Sequence, residues 1–315
     1  MKIMLTQPGK LRLYSTTELI KMPPPIWLIE TIMPEQGVIG LYGAPGTGKS
    51  FVAIDFALSI ATGRPWHGRA VQQGLVIYIS AEGGAGIGKR VLAWCNAHHV
   101  SPASANLAWV IEAIPIQADS ADVTRLFERM DELHDTPVLV VIDTLARCFD
   151  GDENQQEDMG AFVKGVDAIR HALGTAVMIV HHTRLDGDRE RGNTAFRGAA
   201  DTMIQVKRNK DAAKGKLTLL CDKQKDDEEF APIPMSLVKC EDENSCIVTT
   251  VDLSPSMREF VTALRDAGVT PGTSHGVAAL EELSGLPRAT FFRHLSHAKK
   301  EGIVEKRGSN YVLKI

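Results

Sequence analysis

The sequence lacks three features that mark particular classes of protein. It has no apolar run of about 18 residues, so no membrane-spanning helix and no membrane partner are expected. Its first 21 residues have no apolar core of the kind found in secretion signals. The five cysteines are an odd number with no CxxC pair, which argues against a disulfide framework and a zinc ribbon. These absences favour a protein of the reducing cytoplasm.

A strong excess of one charge is also missing, because the formal net charge is −4. The distribution is uneven, however. Residues 255–315 contain nine Lys or Arg and six Asp or Glu, a balance of +3, which leaves −7 for the rest of the chain. A mildly basic segment attached to an acidic body indicates a separate C-terminal module.

Apolar runs rich in β-branched residues alternate with helical patterns along most of the chain. The strand-like runs lie at residues 38–42, 75–80, 138–143 and 176–181, and the helical patterns at 49–62, 121–133 and 159–173. Strand and helix in alternation predict an α/β fold, with a parallel sheet covered on both faces. Later runs at 202–207, 217–221 and 246–251 have short polar connections, so we expect the sheet to end in antiparallel strands.

The pattern changes after residue 254. Three helical segments at 257–267, 277–284 and 288–301 are followed by a hairpin formed by 303–307 and 311–315. Three helices and a two-stranded wing predict a winged-helix domain. The expected organisation is therefore a lead-in at 1–36, a main domain at 37–253 and a winged-helix domain at 254–315.

One eight-residue loop fits the pattern G-x-x-x-x-G-K-[ST] in full and lies between an apolar strand and a helix. Its glycines let backbone N–H groups turn towards phosphate oxygens, and the helix N-terminus adds partial positive charge. Lys49 would contact the β and γ phosphates of ATP, and the Ser50 hydroxyl would bind Mg²⁺. The predicted nucleotide-binding residues are Gly43, Ala44, Pro45, Gly46, Thr47, Gly48, Lys49 and Ser50.

Three further strand-like runs end in polar side chains. Asp143 ends a buried run, where it could hold Mg²⁺ or cap the following helix. Glu82 follows another run and is the candidate base for the attacking water, although a surface or capping role fits equally. His181 and His182 end a fourth run, and one of them could report the nucleotide state or be structural.

Together these elements resemble the RecA-like superfamily of P-loop ATPases, and most closely the RepA-type family of hexameric replicative helicases from plasmids and phages. The similarity covers about residues 23–253 and rests on GAPGTGKS, YISAEG, VVIDTLAR, MIVHHT and FRGAAD. It implies a RecA-like core, Glu82 as the catalytic base and His182 as the sensor. It also implies a homo-oligomeric ring, favoured as a hexamer, in which a basic residue of one subunit completes the site of its neighbour.

The identity of that basic residue stays open. Lys223 and Lys225 follow a late strand in the arrangement Lys-x-Lys, which is similar to RecA recombinases. Ring helicases often have an arginine there, and Arg208 is a second candidate. A solvated lysine pair in front of an acidic run is the alternative interpretation.

DNA binding is expected at two places. The segment 183–197 contains Arg184, Arg191 and Arg197, and in this superfamily it would face a channel for single-stranded DNA; a plain surface loop is the alternative. In the winged helix, the basic residues could contact duplex DNA, although such domains also dock proteins. These residues are Arg288, Arg293, Lys306 and Arg307.

Three functions fit the sequence. The first is a DNA-dependent motor, a replicative helicase that uses ATP and Mg²⁺. The second is a recombinase or annealing ATPase. The third is an ATP-switched regulator whose winged helix binds a DNA site.

Overall fold

The computed structural model of the chain describes residues 13–82, 84, 86–118, 120–133, 135–182, 195–208, 215–225, 227–240, 242–250, 255–269, 273–300 and 303–313. Among the described residues, no helix is long and apolar enough to span a membrane.

The first part of the chain alternates between strands and helices. Its elements are α1 (Thr16–Ile20), β1 (Trp27–Ile29), β2 (Met33–Pro34), β3 (Val38–Gly43), α2 (Lys49–Thr62), β4 (Leu75–Ser80), α3 (Ile87–His98), β5 (Leu107–Val110), α4 (Ala121–Asp131), β6 (Pro137–Asp143), α5 (Leu145–Cys148), α6 (Gln156–Leu173) and β7 (Ala176–His182).

The second part begins with strands and ends with a small mixed module. Its elements are α7 (Ala195–Ala199), β8 (Thr202–Arg208), β9 (Lys216–Gln224), β10 (Ile233–Cys240), β11 (Ser245–Thr250), α8 (Pro255–Asp266), β12 (Ser274–Gly276), α9 (Val277–Ser284), α10 (Arg288–Lys300), β13 (Val304–Arg307) and β14 (Asn310–Leu313).

A large, mostly parallel sheet organises the core. Within the described residues it has nine strands in the order β11-β10-β9-β8-β3-β7-β6-β4-β5. The strands from β8 to β5 in this order pair in parallel, whereas β9, β10 and β11 are antiparallel additions at one side. The α/β class and the antiparallel end of the sheet are therefore as predicted.

Apolar clusters cover both faces of this sheet, as expected for parallel strands. One cluster contains α2 and the strand side chains that face it, for example Phe56 and Leu41. The other contains α4 and α6, with Phe127 and Phe162 packed on the opposite face. The central strands are consequently buried along their length, and their carboxyl ends form one edge at which polar side chains can meet.

The N-terminal segment contributes more to the core than the sequence predicted. Leu28, Ile29, Ile32 and Met33 are fully buried in the same cluster as α2, and Gln72 donates its backbone N–H to the carbonyl of Leu28. The predicted boundary between residues 36 and 37 therefore cuts through packed structure, because the β1–β2 hairpin already belongs to the core.

The C-terminal module has its own small core. Helices α8, α9 and α10 pack with a three-stranded antiparallel sheet of order β12-β14-β13. Phe260, Leu264, Phe291 and Leu295 are among its buried residues, which form a cluster separate from those of the large sheet.

Candidate active site

The loop between β3 and α2 takes a conformation that depends on glycine. Gly46 has φ = +73° and Gly48 has φ = +100°, which side chains with a Cβ rarely adopt. A Cβ on Gly48 would also lie 2.9 Å from a methyl carbon of Leu237. Because Gly48 precedes Lys49 without a side chain to cap the helix, the first backbone N–H groups of α2 are open to an anion.

The ammonium group of Lys49 lies under this loop. The residue is 5% exposed, and its ammonium group donates hydrogen bonds of 3.0 Å to the carbonyl oxygens of Gly43 and Ala44. Burial lowers the pKa of Lys49 to about 8, although the charges of Asp143 and Glu82 oppose this shift. A phosphate group at the loop would supply the counter-charge that this buried cation lacks.

Asp143 and Ser50 meet where β6 ends beside the start of α2. The Ser50 hydroxyl donates to Oδ1 of Asp143 at 3.2 Å, and the Tyr78 hydroxyl donates to Oδ2 at 2.7 Å. Burial raises the pKa of the Asp143 carboxyl, and both hydrogen bonds act against this rise. Carboxylate and hydroxyl oxygens are ligands that Mg²⁺ prefers, so Ser50 and Asp143 fit a magnesium ion that accompanies a nucleotide.

Glu82 lies two residues beyond β4 and faces a cavity of about 360 Å³, which Ser50 and Asp143 also line. Its side chain is 52% exposed, and Oε1 accepts a 3.2 Å hydrogen bond from the Thr144 hydroxyl. A carboxylate that is open to water and oriented by one donor can act on a water molecule in this cavity.

The two histidines at the end of β7 point to opposite sides of the sheet. His181 is buried and packs edge-on against Phe196, with ring centroids 6.2 Å apart. His182 faces the loop, with Nδ1 3.1 Å from Nζ of Lys49 and Nε2 3.8 Å from Oε1 of Glu82. Burial first, and the charge of Lys49 second, lower the pKa of His182, so its ring is neutral at neutral pH.

The loop 43–50, the pair of Ser50 and Asp143, and the exposed carboxylate of Glu82 thus lie at one edge of a parallel sheet. Residues 15–188 match the family model described as AAA domain, which is more than half of the 315-residue chain. The chain belongs to the AAA-domain family. The matched range of this AAA-domain protein includes the loop 43–50, Glu82, Asp143 and His182. No curated protein matches it significantly in sequence.

Two solved structures are similar to this AAA-domain protein. The ATPase domain of G40P superimposes with a TM-score of 0.50 at 12% identity, covering 68% of this chain and 84% of that chain. The RadB recombinase gives a TM-score of 0.49 at 13% identity, covering 69% of this chain and 91% of that chain. The similarity to G40P, together with the large, mostly parallel sheet, shows that the core has a RecA-like α/β fold.

The candidates for a residue acting on a neighbouring subunit lie on the antiparallel side of the sheet. Lys223 Nζ donates to the carbonyl oxygens of Arg197, Gly198 and Ala200, which are at the C-terminal end of α7. Lys225 Nζ lies 3.1 Å from Asp201 Oδ1 with a side chain that is 62% exposed. Both ammonium groups therefore already have partners within this chain.

The predicted DNA-binding residues fall into three groups. Arg184 and Arg191 lie outside the described residues. Arg197 forms an ion pair with Asp222, which also accepts a 2.5 Å hydrogen bond from Tyr42, so this arginine holds α7 against β9. The third group is exposed in the C-terminal module and consists of Arg288, Arg293, Lys306 and Arg307.

In that module, Arg288 pairs with Glu281 and Arg307 with Glu305. Arg293 projects from the outer face of α10, next to the exposed Phe292. The outer surface of this helix therefore combines basic and aromatic groups.

Three residues of the site were missed by the sequence analysis. Tyr78 lies inside an apolar strand, where nothing in the sequence signals a contact with Asp143. Thr144 directly follows Asp143, and this position was the available signal. Arg90 lines the cavity from α3, with its guanidinium carbon 4.6 Å from the centre of the Phe51 ring.

Proposed function

We propose that the chain is an ATP-hydrolysing, DNA-dependent motor, a RepA-like replicative DNA helicase of plasmid or phage type. The observation that carries the proposal is the meeting of Lys49, Ser50, Asp143 and Glu82 at one edge of the sheet. These four side chains supply the phosphate counter-charge, the metal ligands and the group that handles water, which are the components that phosphoryl transfer requires.

Each residue has a defined part in this proposal. Lys49 and the N–H groups of the loop 43–50 bind the β and γ phosphates. Ser50 and Asp143 hold Mg²⁺, which when bound neutralises charge on the phosphate oxygens. Glu82 orients the attacking water and accepts its proton, and it stands in the open part of the cavity where water has access.

His182 is proposed as the sensor of the nucleotide. It lies between Lys49 and Glu82, at 3.1 Å from the first and 3.8 Å from the second. A phosphate that draws Lys49 towards itself weakens the contact with Nδ1 of His182. The next residues along the chain, 183–194, lead to α7, so a shift of His182 acts on the segment proposed to contact single-stranded DNA.

The site is proposed to be shared between subunits of a ring, favoured as a hexamer. Lys225 is better placed than Lys223 to act on a neighbour, because its side chain is 62% exposed and it is held by one ion pair with Asp201 rather than by several carbonyl oxygens. Lys223 would have to leave the carbonyl oxygens that it caps at the end of α7. Arg208, which is exposed at the end of β8, is the alternative candidate for the basic residue that completes the neighbouring site.

The C-terminal module is proposed to be a winged-helix domain that binds duplex DNA. Helices α8 to α10 and the hairpin β13–β14 have the order that this domain requires. Arg293 on α10 would reach the major groove, and Lys306 with Arg307 at the hairpin would contact phosphates.

Two alternatives have support from particular residues. A recombinase or annealing ATPase is favoured by the pair Lys223 and Lys225. A regulator that binds a DNA site is favoured by the separate core of the C-terminal module.

Two measurements on the full chain distinguish these functions. The first is electron microscopy with an ATP analogue, with and without single-stranded DNA. The second is a strand-separation assay. A helicase gives closed rings and separates strands. Filaments that form only on DNA, with pairing but no separation, would overturn the helicase in favour of the recombinase. Sequence-specific duplex binding in a chain that can neither form rings nor separate strands would identify the regulator.

A further inference from the structure

Tyr78 is a buried tyrosine in the middle of β4. This strand pairs in parallel with β6, so that Tyr78 lies opposite Val141 and Ser80 lies opposite Asp143. The phenol is fully buried, and its hydroxyl donates a 2.7 Å hydrogen bond to Oδ2 of Asp143. The side chain therefore reaches from one strand to the acidic residue at the end of its neighbour.

The two oxygens of Asp143 have donors of different kinds. Ser50 donates to Oδ1 from the first turn of α2, and Tyr78 donates to Oδ2 from inside the sheet. The Ser50 hydroxyl has one donor hydrogen and two lone pairs, so it can donate to Oδ1 and ligate a cation through the same oxygen. Tyr78 is not a proposed ligand, so its hydrogen bond is free to persist when a cation binds.

Packing holds the phenol in place. The rings of Tyr78 and Trp109 have centroids 4.8 Å apart, and Tyr78 belongs to the large cluster around α2. A carboxylate bonded to such a fixed donor loses its freedom to rotate about χ2. The phenol is also neutral, so it holds Asp143 without competing with a cation for the carboxylate charge.

We propose that Tyr78 is a positioning residue, which fixes the Asp143 carboxylate so that its other oxygen faces the cation bound with the nucleotide. This inference rests on the proposed function, because it concerns the metal pair of the same site. Loss of a hydrogen bond to a metal ligand typically weakens metal affinity by about 10-fold to 100-fold. The alternative is that the phenol only provides a hydrogen bond to a buried carboxylate and contributes to the stability of the fold without affecting metal binding.

The test uses Tyr78→Phe, which keeps the ring and removes the hydroxyl. Tyr42→Phe is the matched control, because Tyr42 is also a buried tyrosine of a core strand whose hydroxyl donates to a carboxylate, that of Asp222 at 2.5 Å. Binding of Mn²⁺ in the presence of a non-hydrolysable ATP analogue is measured by electron paramagnetic resonance on the full chain. Binding of the analogue without metal and the melting temperature are measured in parallel.

We expect Tyr78→Phe to weaken Mn²⁺ binding by roughly 10-fold or more while metal-free binding of the analogue changes less than about twofold. Tyr42→Phe should keep the wild-type affinity for Mn²⁺ although it loses a comparable hydrogen bond. Wild-type affinity in Tyr78→Phe, or an equal loss in both variants, would overturn the positioning role.

A second comparison tests whether Tyr78 acts through Asp143. In an Asp143→Asn background, adding Tyr78→Phe should cause no further loss of Mn²⁺ affinity, and an undiminished loss would overturn the proposal. A wild-type chain that binds no nucleotide at all would instead overturn the proposed function. Normal nucleotide binding by the wild type, with Mn²⁺ affinity unaffected in Tyr78→Phe, would overturn only the positioning role.

Discussion

Lys49 donates a hydrogen bond of 3.1 Å to Nδ1 of His182. Because an ammonium group can only donate, Nδ1 is the acceptor and the ring proton is on Nε2. Nε2 lies 3.8 Å from Oε1 of Glu82, so the phosphate-binding lysine, the end of β7 and the candidate base form one connected row. In the proposed function, a change at the bound phosphate is transmitted along this row to Glu82.

The first prediction concerns Lys49→Ala. The variant should lose ATP hydrolysis and bind nucleotide more weakly, because the loop then has no full positive charge for the phosphates. Turnover and the Kd of a fluorescent ATP analogue are the measurements. Lys89→Ala, which removes an exposed lysine of α3 away from the cavity lining, is the control and should behave like the wild type. Normal turnover in Lys49→Ala would refute the site assignment.

The pKa of Lys49, about 8 in the free protein, predicts a pH dependence of nucleotide binding. Bound phosphates favour the charged ammonium, so binding raises this pKa. Affinity should therefore be constant below about pH 8 and fall above it, by at most about tenfold per pH unit. Titrations of the nucleotide at pH values from about 7 to about 9.5 measure this dependence. Lys49→Arg should remove the dependence, because a guanidinium stays protonated throughout. A flat wild-type profile would contradict the prediction.

Features that depend on residues close together in the sequence could be predicted, whereas features that depend on distant residues could not. Helix α2 was predicted with its observed ends, because Gly48 and Gly63 delimit it locally. Strand β5 has only four residues, and β10 carries Pro234 close to Pro232, so both were missed. Their place in the sheet is decided by neighbours that are distant in the sequence.

The same distinction applies to the site. Glu82 and Asp143 each follow an apolar strand, which is a local signal. The contact of Tyr78 with Asp143 depends on β4 lying directly beside β6, and sequence periodicity does not reveal strand order. The engagement of Lys223 by the carbonyl oxygens of α7 depends likewise on the pairing of β8 with β9.

The shared site predicts complementation between variants. Lys225→Ala should reduce turnover and spare nucleotide binding, because the lysine would act on the phosphate of a neighbour; such residues contribute about 10³-fold to 10⁵-fold in other enzymes. Lys223→Ala should also reduce turnover, partly through loss of its contacts with α7. Mixing Lys225→Ala with Lys49→Ala should restore some activity, since one interface then combines an intact loop with an intact lysine.

Arg208→Ala is mixed with Lys49→Ala in a separate experiment of the same design. Recovery with Arg208→Ala but not with Lys225→Ala would transfer the role to the arginine. No recovery with any of these variants, despite demonstrated exchange of subunits, would contradict a shared site, as would full activity of a monomer at high dilution.

The C-terminal module predicts a separation of activities. A chain that ends near residue 254 should keep basal ATP hydrolysis, because every proposed nucleotide residue precedes this point, and it should lose affinity for duplex DNA. In the full chain, Arg293→Ala on α10 should weaken duplex binding, whereas Arg265→Ala, an exposed arginine on α8, should not. Fluorescence anisotropy with duplex DNA is the measurement. Unchanged duplex binding in the truncated chain would favour a protein-docking role.

Glu82 is proposed to act on the attacking water at an ATP site formed by the loop 43–50 and Asp143. Glu82→Gln tests it most directly, because the amide keeps the shape of the side chain and cannot accept the proton. Turnover and the Kd for ATP are measured on the same preparation. We expect unchanged binding and a fall in turnover of roughly 10²-fold or more. Turnover within a few-fold of the wild type would contradict it.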